Sequence, residues 1–129
     1  LANGSIQAIC SDHQPHDLDS KNAPFPETEP GISGFETLLA LTLRLVDEDV
    51  LSLNDAIARV TSGPADLLKL PYGRLSVGSP ADICIFDPKT YWQLDSNSLL
   101  SEGKNTPFEG WEFRGSITNT IFNGRIIDF

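Results

Sequence analysis

The chain has 129 residues, a formal net charge of -9, and 40% hydrophobic against 21% charged residues. That is ordinary globular composition, with enough chain for one domain and a modest core. Only nine Lys and Arg residues are present, and they are scattered. A surface for nucleic acid or an anionic membrane is therefore disfavoured.

No apolar run approaches the length of a membrane span. Leu1-Ala2-Asn3-Gly4 has no basic n-region and no signal-peptide pattern, and Met is absent throughout. The expectation is a chain that has been cut, processed or given only in part. Cys10 and Cys84 lie far apart within apolar, strand-like runs, which reads as two reduced, buried thiols.

Ile6 to Cys10 reads as a short strand ending at Ser11-Asp12-His13. A long connection, Gln14 to Gly34, follows and contains Pro15, Pro24, Pro26 and Pro30. Ordered loops of that length are often functional. Phe35 to Asp47 reads as a helix that is apolar around much of its circumference and so packed on more than one side. Ser52-Leu53-Asn54-Asp55 resembles a capping box that starts a second helix through Ala56, Ile57 and Val60. Gly63-Pro64 opens a short third helix, Ala65 to Leu70.

At Pro71 the character changes to β-rich. Ala81 to Phe86 is a strand candidate stopped by Asp87-Pro88, and Tyr91 to Leu94 is a shorter one. Ser116 to Phe122 and Arg125 to Phe129 flank Asn123-Gly124, a dipeptide suited to a type I′ turn. The boundary falls near Pro71 to Val77, giving units 1–72 and 73–129.

The chemistry-bearing string is Ser11-Asp12-His13-Gln14-Pro15-His16, directly after a strand. Asp and His are metal-ligand types, and catalytic carboxylates cluster at the C-terminal ends of barrel strands. A generic Asp/His cluster is weak on its own, and a surface loop with a capping Asp is the alternative.

The downstream strings add to it. Asp12-His13-x-Pro15-His16, then Pro30-Gly31-Ile32-x-Gly34-Phe35-Glu36-Thr37, resembles the dihydroorotase signature. Ser62-Gly63-Pro64-Ala65, Gly78-Ser79-Pro80-Ala81-Asp82-Ile83, Asn105-Thr106-Pro107-Phe108-Glu109-Gly110 and Asn123-Gly124-Arg125 follow in the order seen in cyclic amidohydrolases. The resemblance covers nearly the whole chain.

It implies an α/β fold: the C-terminal part of a TIM-barrel amidohydrolase, with the last barrel strand and helices in 1–72, followed by β-sandwich strands in 73–129. Seven barrel strands would lie outside this chain. A lone barrel strand cannot satisfy its ladder hydrogen bonds. Association with the remainder of its own polypeptide, or with another copy, is therefore expected.

The resemblance implies zinc-dependent interconversion of N-carbamoyl-L-aspartate and L-dihydroorotate in cytoplasmic pyrimidine synthesis. Asp12 matches the carboxylate that contacts the metal and shuttles the proton. His16 matches the histidine that binds the substrate carboxylate. Pro30 and Gly31 match backbone positions lining the substrate pocket, where glycine permits close approach.

His13 carries no family role and reads either as structural or as supporting a residue that touches the metal. Glu36 reads as serving the helix N-terminus, and Asp47, Glu48 and Asp49 as helping to end that helix. Trp92 and Trp111 read as packing residues. Asp17, Asp19, Glu27 and Glu29 read as a solvated acidic loop.

Zinc catalysis normally takes at least three protein ligands. The family's remaining histidines and carboxylated lysine have no counterpart here, so the chain alone should be inactive. Gln14 stands where active members usually carry Ala. This departure resembles dihydroorotase-like proteins that act as non-catalytic partners of aspartate carbamoyltransferase. Hydantoinase- or allantoinase-type ring substrates, and a free-standing β-rich binding module, are the further alternatives.

Overall fold

In a computed structural model of the chain, residues 1–127 are described. The elements in chain order are α1 (Leu38–Asp47), α2 (Leu53–Val60), α3 (Ser62–Leu68), β1 (Ile83–Gln93), β2 (Glu112–Phe122) and β3 (Arg125–Ile127), with short 3-10 turns between them. No described helix is long and apolar enough to cross a membrane.

The helices begin and end for local reasons. Ser52 caps α2, and its hydroxyl accepts from Asp55 N at 3.2 Å, as the capping box requires. α1 starts three residues later than expected, because Phe35 to Thr37 form a turn before it. It stops in a Schellman arrangement: Val50 N donates to Leu45 O at 2.9 Å and Asp49 N to Val46 O at 3.1 Å. Asp49 takes a φ of 54° there, so it does help to end the helix. α3 runs from Ser62 to Leu68 rather than Ala65 to Leu70. Pro64 sits in its first turn, where a missing N–H costs no helix bond. Lys69, at φ 56° and ψ 40°, closes it by the same left-handed device.

The sheet is antiparallel in the order β1-β2-β3. Asp87-Pro88 does not stop β1, contrary to expectation. The strand bulges between Asp87, paired with Ser116, and Tyr91, paired with Arg114. Asp87 organises the bulge by accepting from Lys89 N at 2.8 Å and from the Thr90 hydroxyl at 2.9 Å. Proline is tolerated because a bulge residue owes no donor to the ladder. The two short strands expected there are therefore one. Asn123 (φ 49°) and Gly124 (φ 76°) form the expected tight turn between β2 and β3. Of the last expected strand, residues 128 and 129 lie outside the described residues.

α1 packs on β2. Leu43, fully buried, rests against Gly115, whose φ of 95° and missing Cβ make room for it. Ala40, Leu94, Leu99 and Phe113 form the core, with Leu41, Trp92 and Phe108 packed beside it. Trp92 donates its indole N–H to Gly115 O at 2.9 Å, and Trp111 lies edge-on to Phe108, so both are packing residues as expected. Asp47 pairs with Arg114, joining the C-terminus of α1 to β2.

Two expectations fail here. Ile6 to Cys10 forms no strand among the described residues. Its backbone is held by Ile9 N donating to Arg59 O at 2.9 Å, and Gly63 lets α3 approach Gln7. A strand is defined by its neighbours, and none lies beside this segment. Cys10 and Cys84 are exposed rather than buried. α1 covers only the Trp92–Phe113 end of the sheet, and the other end is bare, with Ile85, Ile117, Phe122 and Ile126 exposed. The Cys84 thiol is nevertheless crowded enough that partial burial raises its pKa.

Candidate active-site segment

Residues 12–16 and 30–34 lie side by side. His13 and Ile32 form an isolated parallel bridge, and Gln14 N donates to Ile32 O at 2.8 Å. Asp12 opens this segment with a φ of 43°, a left-handed conformation that Asp tolerates better than most residues. Its carboxylate is exposed and has no hydrogen-bond partner among the described residues.

His13 is structural, as expected. Its Nδ1 accepts from Gly34 N at 3.0 Å and Phe35 N at 3.3 Å, which leaves the proton on Nε2. The ring stacks on Phe35 at 3.9 Å and 7°. The histidine thus satisfies amides just ahead of α1, and the Asp12 backbone is fixed from its C-terminal side.

Gly31, at φ 91°, lies directly under the Gln14 side chain, whose Oε1 would stand 2.7 Å from any Cβ at that position. The Gly31 carbonyl accepts from Lys21 Nζ at 2.8 Å and from Asn105 Nδ2 at 3.3 Å. Lys21 also donates to Glu29 O, so the acidic loop is clasped by a lysine rather than freely solvated throughout. Pro30 is exposed beside Gly31. His16 is half-buried and held through its backbone, its N–H donating to Asn105 Oδ1 at 2.8 Å.

The connection between β1 and β2 supplies these contacts. Its Gly103 packs against Pro15 and His16, and its Asn105 is buried at 4% exposure. Glu36 belongs to this connection and not to the helix N-terminus, contrary to expectation. Its carboxylate accepts from Leu100 N and Ser101 N, both at 3.0 Å.

The structure therefore brings Asp12, His16, Pro30 and Gly31 into one stretch of surface. It does not enclose them: the two clefts beside α1, one lined by Ile9, Ser11 and Leu41 and the other by Glu36, Trp92 and Ile117, include none of the four. Among the described residues no three His, Cys, Asp or Glu side chains come together as a metal site. A zinc ion does not fit this chain's own donors alone. Asn105 and Glu36 stood within the quoted motifs, but their contacts to this segment were not foreseen from them.

The sequence model of the amidohydrolase family matches residues 1–127. Among curated proteins, the chain is similar to a dihydroorotase of Syntrophotalea carbinolica, 52% identical over 98% of this chain and 30% of the relative. It is also similar to a dihydroorotase-like protein of Pseudomonas aeruginosa, 48% identical with the same coverage. The chain thus spans about 30% of the length of the curated relatives it matches. Among solved structures, it resembles the L-hydantoinase of Arthrobacter aurescens with a TM-score of 0.89 and 30% identity, over 98% of this chain and 29% of that one. The dihydropyrimidinase of Brevibacillus agri gives a TM-score of 0.90 at 24% identity with the same coverage, a likeness of fold alone. These matches remove the β-rich binding module from consideration: the chain belongs to the amidohydrolase family.

Proposed function

We propose that the full-length protein is a dihydroorotase-type cyclic amide hydrolase, interconverting N-carbamoyl-L-aspartate and L-dihydroorotate in the cytoplasm. The observation that carries the reading is the alignment of the Asp12–His16 segment against Pro30–Gly31 by the His13–Ile32 bridge. Four residues that the dihydroorotase signature assigns to one site are thereby neighbours in space.

In this reading the barrel is completed by chain outside these 129 residues. Ile6 to Cys10 is its last strand, α1 to α3 lie outside it, and β1 to β3 belong to the sandwich. The bare apolar side chains of Ile6, Leu67, Leu68 and Val77 support burial against the remainder of the same polypeptide or another copy.

The chemistry assigned to this chain is modest and specific. The Asp12 carboxylate takes the proton from the attacking water and delivers it to the departing ring nitrogen, so one group serves both directions of a reversible reaction. It would also be one donor of a zinc site, the others coming from elsewhere in the protein. His16 binds the substrate carboxylate through a ring N–H. Pro30 and Gly31 form the wall against which the ring lies, and glycine lets the ring approach the backbone.

A second reading is a non-catalytic subunit that supports assembly of aspartate carbamoyltransferase. It is favoured by the Gln14 side chain, which lies over the wall at Gly31. Zinc content and dihydroorotate turnover of the full-length protein separate the two. Under the catalytic reading Asp12→Ala abolishes turnover. Under the assembly reading the wild type has no turnover, and Asp12→Ala leaves association with the transcarbamoylase intact.

A further inference from the structure

We propose that Asn105 is a positioning residue for the substrate site, setting where the His16 and Gly31 backbones stand; this rests on the dihydroorotase-type reading above. Asn105 is 4% exposed, and its amide is bonded through both its donors and its oxygen. Its Nδ2 donates to Gln14 O at 3.0 Å and Gly31 O at 3.3 Å. Its Oδ1 accepts from His16 N at 2.8 Å and lies 3.2 Å from Ser33 Oγ, whose single O–H is shared with Gly103 O. Its own carbonyl accepts from Ser33 N at 3.2 Å.

The partners fix the amide's orientation. Turned over, the oxygen would face two carbonyls and the NH2 would face the His16 N–H, so both sides would be repulsive. No other side chain of this size offers two donors and two acceptors. Leucine keeps the shape and loses donors and acceptor alike, leaving the His16 N–H and the carbonyls of Gln14 and Gly31 without this partner.

The Asn105 side chain is therefore bonded to both walls of the site. It lies on the β1–β2 connection, more than seventy residues along the chain from each of these side-chain partners. Gly103, from the same connection, fills the space beside Pro15 and His16. The β-rich part thus sets the separation between the residue that holds the substrate anion and the backbone that the ring lies against. Asp12 is not bonded to this amide, so its loss should damage binding more than the proton transfers.

The test uses the full-length protein with two variants, Asn105→Leu and the milder Ser33→Ala, each compared for kinetics, zinc content and amide hydrogen exchange. The expected result for Asn105→Leu is a KM for dihydroorotate raised about tenfold or more. Its kcat should change by less than about threefold, its metal content should not change, and the His16 amide should lose protection while α1 and the β1–β2 ladder keep theirs. Ser33→Ala should raise KM by about twofold to fivefold without moving kcat.

An unchanged KM in both variants overturns the proposal, as does a protected His16 amide in Asn105→Leu. If Asn105→Leu fails to fold, Ser33→Ala decides: a raised KM supports the proposal, and an unchanged KM overturns it. A wild-type protein without turnover refutes the dihydroorotase reading. In that case loss of His16 protection in Asn105→Leu still supports the positioning of the backbone, and retained protection overturns it.

Discussion

Placing a methyl group on Gly115 tests how α1 is seated on the sheet. Gly115 has a φ of 95°, and a Cβ there would overlap Leu43 Cδ1. Leu43 is fully buried and cannot swing into solvent. Two costs combine: about 1–2 kcal/mol for alanine in a left-handed conformation, and about 1–3 kcal/mol for overpacking. Gly115→Ala should thus destabilise the β1–β2 ladder by about 2–5 kcal/mol. Leu43→Ala should cost about 2–5 kcal/mol through its cavity. Combined with it, Gly115→Ala should retain only the backbone cost of about 1–2 kcal/mol, since the overlap is gone. Native-state hydrogen exchange of the β1–β2 amides measures each cost locally in the full-length protein. A double variant whose loss equals the sum of the single losses within about 0.5 kcal/mol would refute this packing argument.

Two further outcomes follow from the turns. Lys69→Gly should stabilise α3 by about 0.5–1 kcal/mol, because glycine adopts the φ of 56° without a Cβ penalty; amide exchange in α3 checks this, and a loss of protection contradicts it. The Asp87 carboxyl should titrate below the usual aspartate range, because Lys89 N and the Thr90 hydroxyl donate to its charged form. A depressed folded-state pKa contributes stability that is present above the ordinary aspartate value and is lost as pH falls through the folded-state value. An NMR titration of the Asp87 carboxyl should therefore show a midpoint below that of a free aspartate, and the shift should shrink in Thr90→Val.

Legibility followed the range of the interaction. The Ser52 cap and the Asn123-Gly124 turn are decided by residues within three positions of each other, and both were readable from the residues alone. Asp87-Pro88 misled because a stop and a bulge share the same residues. Only the pairing with β2 across Gly115 distinguishes them. Ile6 to Cys10 had strand composition, yet a strand needs ladder partners that composition does not supply. The exposure of Cys84 depended on which end of the sheet α1 covers. In the candidate site, Asp12, His16, Pro30 and Gly31 stood out through an ordered set of motifs. Asn105 lay in one of those motifs without a role, because a buried amide is recognised by its partners, and Gln14 lies 91 residues away from it. Glu36 was assigned to its nearest helix for the same reason, while its amide partners come from the β1–β2 connection.

The most direct test of the shared site is a structure of the full-length protein with dihydroorotate bound. The account predicts the ring against Pro30 and Gly31, its carboxylate on the His16 ring, and the Asp12 carboxylate facing the scissile amide. A ligand seated elsewhere, with Asp12 turned to solvent and Gly31 untouched, would contradict it.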